Sequence, residues 1–132
     1  MALMGYQDEN DYIMRIIKEM VRVLVSLMLG KKYAQVELPL ENKYEISGSD
    51  LARWKELIDG GKINEGENLL LENIDYQKKE DLAEALFFYE YAGAKGSDFL
   101  KKHNYSEEKI LEGLQNIAEK SGYKGIAEMF LQ

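Results

Sequence analysis

The sequence predicts an all-α fold: a single-domain bundle of helical hairpins over residues 1–132, packed around a long buried helix near its start. Three observations carry that expectation. Residues 11–30, DYIMRIIKEMVRVLVSLMLG, place their polar side chains at spacings of three, four and seven, which is the period of a helix. Later segments repeat apolar residues at the same spacings and are punctuated by glycines. Only residues 31–49 lack helical periodicity, and they hold the sole proline, Pro39.

Residues 1–10 read as a short leader ahead of the first helix. Wound at 100° per residue, Arg15, Lys18, Glu19, Arg22 and Ser26 fall within an arc of roughly 100°. Apolar residues fill the rest of the wheel, a wider arc than an ordinary surface helix presents, so burial on two or three sides is expected. Asp8, Glu9 and Asp11 sit where a helix N-terminus favours anions, Lys31 and Lys32 follow the C-terminus, and Gly30 suits the left-handed cap.

Residues 31–49 form an irregular connector. Val36, Leu38 and Leu40 alternate with polar residues, as do Tyr44 and Ile46, so a small hairpin is the lesser option; Pro39 argues against a central strand. Ser47 or Ser49 opens a second helix whose apolar face is Leu51, Trp54, Leu57 and Ile58, and Gly60-Gly61 stops it. A third helix follows at once, with Asn64 a candidate N-cap and Leu69, Leu70 and Ile74 apolar. So short a loop forces an antiparallel pair.

Gly61, Ile63, Gly66 and Leu70 have the spacing of the glycine, aromatic, small and large apolar positions of a tetratricopeptide repeat, and this hairpin resembles that family over about twenty residues. The resemblance implies a tight helix pair with a small residue at the crossing.

A fourth helix over residues 78–92 has two apolar faces. Leu82, Ala85, Leu86, Tyr89 and Ala92 make one; Phe87, Phe88 and Tyr91 lie opposite, beside Glu80 and Glu84. Gly93 and Gly96 end it, Ser97 caps a short turn through His103, and Ser106-Glu107-Glu108 begins the next helix. Ile110, Leu111, Leu114, Ile117 and Ala118 are that helix's buried stripe. Gly122 and Gly125 bracket Tyr123, and a short final helix docks back on the core. Residues 11–32 together with KHNYSEEKILEGL near the end resemble a family of small bacterial proteins of unknown function, of the low-GC Gram-positive type. That resemblance implies a helical fold and a cytoplasmic setting and transfers no activity.

Several chemistries are excluded. Zero cysteines rule out disulfides, thiol nucleophiles and cysteine-bound metals, and fit a reducing cytoplasm. A net charge of −7 opposes nucleic-acid binding. The acidity is concentrated in residues 63–132, with fourteen acids against eight bases. Arg15, Lys18, Glu19 and Arg22 interrupt the first helix, so no membrane span is expected. No phosphate-binding glycine loop occurs, and a lone histidine permits no histidine pair for zinc, so neither metal nor cofactor is expected.

What remains is an interaction protein, with a protein partner or self-association, whose candidate contact residues are Phe87, Phe88, Tyr91 and Trp54. A helix sandwiched between neighbours would account for the same aromatic residues. His103, with Glu107 four residues on, is the one acid/base candidate, against a histidine that merely satisfies its turn. The alternative function is a small-molecule binder or enzyme with an aromatic-lined pocket between helices.

Overall fold

Helical periodicity becomes helix along the chain. The structure, a computed structural model, describes residues 6–30 and 48–130. Among the described residues lie α1 (Tyr6–Leu29), α2 (Gly48–Asp59), α3 (Ile63–Asn73), α4 (Lys79–Gly93), α5 (Ser97–Lys102), α6 (Glu107–Lys120) and α7 (Lys124–Phe130). No strand occurs among them. Residues 31–47 of the expected irregular connector, with the small hairpin that is its lesser option and Ser47 as a cap, lie outside the described residues.

α1 begins at Tyr6, so half of the expected leader is helical, and it ends at Gly30, whose φ of 109° is open to glycine and strained for other residues. Of its expected wet arc, Arg15, Lys18, Glu19 and Arg22 are exposed and Ser26 is half-buried, and Arg22 pairs with Glu19 one turn away. Ile17, Met20, Val21, Leu24, Val25, Met28 and Leu29 are buried. The remaining apolar positions are not all covered, which bears on function below.

Among the described residues, the helix with neighbours on every side is α4. It packs against α1, α2, α3, α5 and α6. Its two apolar faces explain this placement, because Leu82, Ala83, Ala85, Leu86, Phe87, Phe88, Tyr89 and Ala92 are all buried. A helix apolar around most of its circumference has to lie in the middle of a bundle. Among the described residues, α1 packs against α4, α6 and α7 and turns its charged arc outward.

The helix ends follow from local chemistry. Past α2, the Lys62 amide donates to the Leu57 carbonyl at 2.9 Å and the Gly61 amide to that of Ile58 at 3.0 Å. This double closure needs a left-handed residue between them, and Gly61 supplies it at φ 80°. α5 ends the same way around Asn104 at φ 61°, a conformation asparagine tolerates better than most residues. Gly66 in α3 sits at the crossing of the hairpin, where an added Cβ would lie 3.0 Å from the Phe88 ring and 3.6 Å from Leu57. The helix pair is accordingly tight.

Two expected caps differ. Asn64 lies inside α3, behind Lys62 at the cap position, and its amide instead donates to the Asn104 carbonyl at 3.0 Å. Ser97 is the first helical residue of α5, and Gly96 precedes it as the cap. Ser106 does cap α6: its Oγ accepts from the Lys109 amide at 3.2 Å, satisfying a donor that the helix leaves orphaned. Ser106→Ala should therefore lower stability by about 1 kcal/mol in urea titrations, with no change in the slope.

α7 returns to the bundle against α6 and α1. Tyr123, just ahead of it, donates its hydroxyl to the Leu27 carbonyl at 3.3 Å and ties the two ends of the described chain together.

Candidate functional site

The hairpin α2–α3 and the first half of α4 enclose a cleft of about 360 Å³. Arg53 and Trp54 line it from α2, Leu69 and Asn73 from α3, Asp81 and Glu84 from α4. Each helix presents these residues for a plain reason. Trp54 belongs to the buried stripe of α2, and Arg53 is its neighbour toward solvent. Asp81 and Glu84 are three apart, hence on one face of α4.

The polar groups are held in place. The Trp54 indole Nε1 donates to Glu84 Oε1 at 2.8 Å. Asp81 Oδ2 accepts from the Asp75 amide at 2.7 Å, and Asn73 Nδ2 donates to the Leu69 carbonyl at 3.0 Å. The Arg53 guanidinium carbon lies 4.4 Å from the centre of the Trp54 ring, within cation–π range. Burial raises the Glu84 carboxyl above the ordinary range, Asp50 and Asp81 raise it further, and the Trp54 hydrogen bond and Arg53 oppose them. None of the lining side chains is a nucleophile beside a base. Two carboxylates and one guanidinium are the charged groups that line the cleft.

A second cleft of about 260 Å³ lies between α3, α4 and α6. At its floor the Tyr89 hydroxyl donates to Glu67 Oε2 at 2.7 Å. The Tyr105 hydroxyl is buried close by, near enough to feel the Glu67 carboxylate but with no well-aligned hydrogen bond among the described residues. Burial first, and then the Glu67 charge, push both phenols far above their ordinary pKa. They remain protonated donors at any physiological pH.

A model for DUF6483, a family of unknown function, matches residues 7–122. The chain belongs to DUF6483. No curated protein and no solved structure matches it. The family match of this DUF6483 chain runs from the first turns of α1 to the glycine after α6 and takes in both clefts.

The candidate contact residues of the DUF6483 chain are drawn together, but inward. Phe87 and Phe88 have no exposed surface and Trp54 is 2% exposed. Trp54 meets Phe88 edge-on with ring centres 5.6 Å apart, Phe88 meets Tyr89 at 5.5 Å, and Phe87 stacks on Tyr91 at 5.6 Å. The sandwiched helix describes their surroundings, since α4 needs large side chains on all sides to reach five neighbours. Tyr91 alone is half-exposed; its hydroxyl donates to Asp59 Oδ1 at 2.8 Å, and Asp59 pairs with Lys95. That lysine hydrogen bond holds the Asp59 carboxyl below its usual value.

His103 caps α5 and stands on Gly61, where a Cβ would lie 2.2 Å from its Nδ1. Its ring also packs 4.6 Å from Phe99. The imidazole is a wedge between the end of α5 and the α2–α3 turn.

Sequence reading missed Arg53, Asn73 and Asp81 as site residues and named Glu84 only as a flank of the aromatic residues. Asp81 and Glu84 carry a helical spacing, but nothing local says that Trp54, thirty residues earlier, would meet Glu84.

Proposed function

We propose that this chain is a small cytoplasmic interaction protein that acts by binding, through the outer ridge of α1, and whose first partner is a second copy of itself. One observation carries the reading. Tyr12 is 61% exposed and Leu27 43%, and the half-buried Ile16 and Val23 lie between them on the same stripe of the helix. The stripe runs about 22 Å along the axis.

Its order is self-complementary. In an antiparallel pair of α1 helices centred between residues 19 and 20, Tyr12 faces the partner's Leu27 and Ile16 faces the partner's Val23. A two-fold interface requires that property of its surface, residue i meeting j as j meets i. Glu19 lies near the axis, and its pairing with Arg22 in the same chain offsets the like charge from the other copy. Cysteine-free composition supports the cytoplasmic setting.

Light scattering of the purified protein at micromolar concentration should give twice the chain mass, and Leu27→Glu should return it to the monomer mass without loss of helicity. A monomer at every concentration up to about 100 μM would remove the reading. A second reading, a small-molecule binder with its pocket between helices, is favoured by the cleft at Trp54.

A further inference from the structure

We propose that the Trp54 cleft is a binding site for a guanidinium group carried on a short alkyl chain, with Arg53 as its built-in competitor. The proposal rests on the second reading above, that the cleft receives a ligand, and names the ligand's chemistry.

Three features of the cleft select that chemistry. The first is charge. Two lining carboxylates, Asp81 and Glu84, face one lining cation, Arg53, and Asp50 adds its negative field to that at Glu84. A half-buried carboxylate in that company is short of positive charge, and an incoming cation supplies it. The second is order. Glu84 is pinned by the Trp54 indole and Asp81 by the Asp75 amide, so neither has to be immobilised when a ligand arrives. The third is the seat itself. The Trp54 ring already has a guanidinium over it, that of Arg53, with its carbon 4.4 Å from the ring centre. Planar guanidinium stacks on an indole and presents a fork of N–H donors to carboxylates, whereas an ammonium is a point charge with no face to stack.

Arg53 is exposed and on the solvent side of α2, so it can leave the ring without disturbing the core. Leu69 and Ile74 give the ligand's alkyl chain an apolar rim, and about 360 Å³ exceeds what a four- or five-carbon chain with its head group needs. The carboxylates set the depth of the head group and the leucine rim sets the length of the chain.

Trp54 is the sole tryptophan, so all tryptophan emission comes from a residue that lines this cleft. Agmatine, added to the intact protein at neutral pH up to about 20 mM, should change Trp54 emission along a saturating curve. Cadaverine, an alkyl diammonium of similar length, should bind about tenfold more weakly, and glutarate should leave the emission unchanged. Glu84→Gln keeps an acceptor for the indole and removes the charge; it should weaken agmatine about tenfold. Asp81→Asn serves the same purpose if that variant does not fold, as judged by circular dichroism.

Arg53→Ala gives the decisive sign. Removing the competitor should tighten agmatine severalfold, and weaker binding would overturn the proposal, because Arg53 would then be a ligand contact. An end-capped Gly-Arg-Gly peptide separates the sources: agmatine binding tighter than the peptide places the guanidinium on a free small molecule, and the reverse places it on a protein side chain. Saturation by glutarate in place of agmatine would overturn the guanidinium assignment and leave the cleft as a ligand site. Silence from agmatine, peptide, cadaverine and glutarate alike would remove both.

Discussion

Leu24→Asp should cost about 5 kcal/mol at neutral pH, enough to leave a domain of ordinary stability partly or wholly unfolded. Leu24 has no exposed surface and belongs to the apolar cluster to which each helix from α1 to α6 contributes. Its loss removes about 2 kcal/mol of transfer free energy, and the introduced carboxyl finds an apolar site in place of water. Burial would raise the pKa of that carboxyl in the folded state above its unfolded value. The folded variant then binds the proton more tightly than the unfolded one, so the deficit against the parent should shrink as pH falls through the carboxyl's raised pKa.

Arg22→Gln, on the same helix, is the control. Arg22 is half-exposed and pairs with half-exposed Glu19, an arrangement that contributes little in water, so the change should stay within about 0.5 kcal/mol. Urea unfolding of the two variants at pH 7 and at pH 5 measures both effects. Equal losses would mean that the charged and apolar faces of α1 are misassigned.

Gly113→Ala should destabilise by about 3 kcal/mol, although helix propensity alone predicts a gain of about 1 kcal/mol. Gly113 lies in mid-α6, where α6 crosses α4, and a Cβ there would stand 2.3 Å from Tyr89 Cζ and 2.6 Å from its hydroxyl. Tyr89 cannot withdraw. It is fully buried, packed edge-on against Phe88, and hydrogen-bonded to Glu67 at 2.7 Å. Either α6 lifts from α4 or the tyrosine abandons the carboxylate, and each outcome removes interior contacts at native packing density. Gly125→Ala, a substitution into open space in α7, should be neutral or slightly stabilising. A thermal midpoint for Gly113→Ala at or above the parent's would show that Tyr89 does not cross at this glycine.

Gly113 also shows where sequence reading stops. From the sequence it is a glycine inside an amphipathic helix, with a small propensity penalty and no visible reason. Its reason is a tyrosine twenty-four residues earlier. The same holds for His103, whose partner is the α-carbon of Gly61, and for Trp54, whose partner is Glu84. The aromatic residues of α4 were conspicuous in the sequence because they exceed what one helix face can use. That excess is equally consistent with a surface patch and with a central helix, and only the number of neighbours around α4 distinguishes the two.

What the sequence determined by itself is most of what short-range chemistry carries, the Asn64 and Ser97 caps excepted. The helices, their 3.6-residue apolar stripes, the stops at Gly30 and Gly61, the Ser106 cap and the charged arc of α1 each depend on residues within a turn or two of one another. Tertiary structure alone decided that α4 occupies the centre, that Phe87 and Phe88 are core, that Glu67 receives Tyr89, and that Arg53, Trp54, Asp81 and Glu84 surround one cleft. Those outcomes depend on which apolar stripes cover which. Hydrophobic burial is non-directional, so a stripe specifies that it must be covered and leaves the covering helix to the packing of the whole bundle.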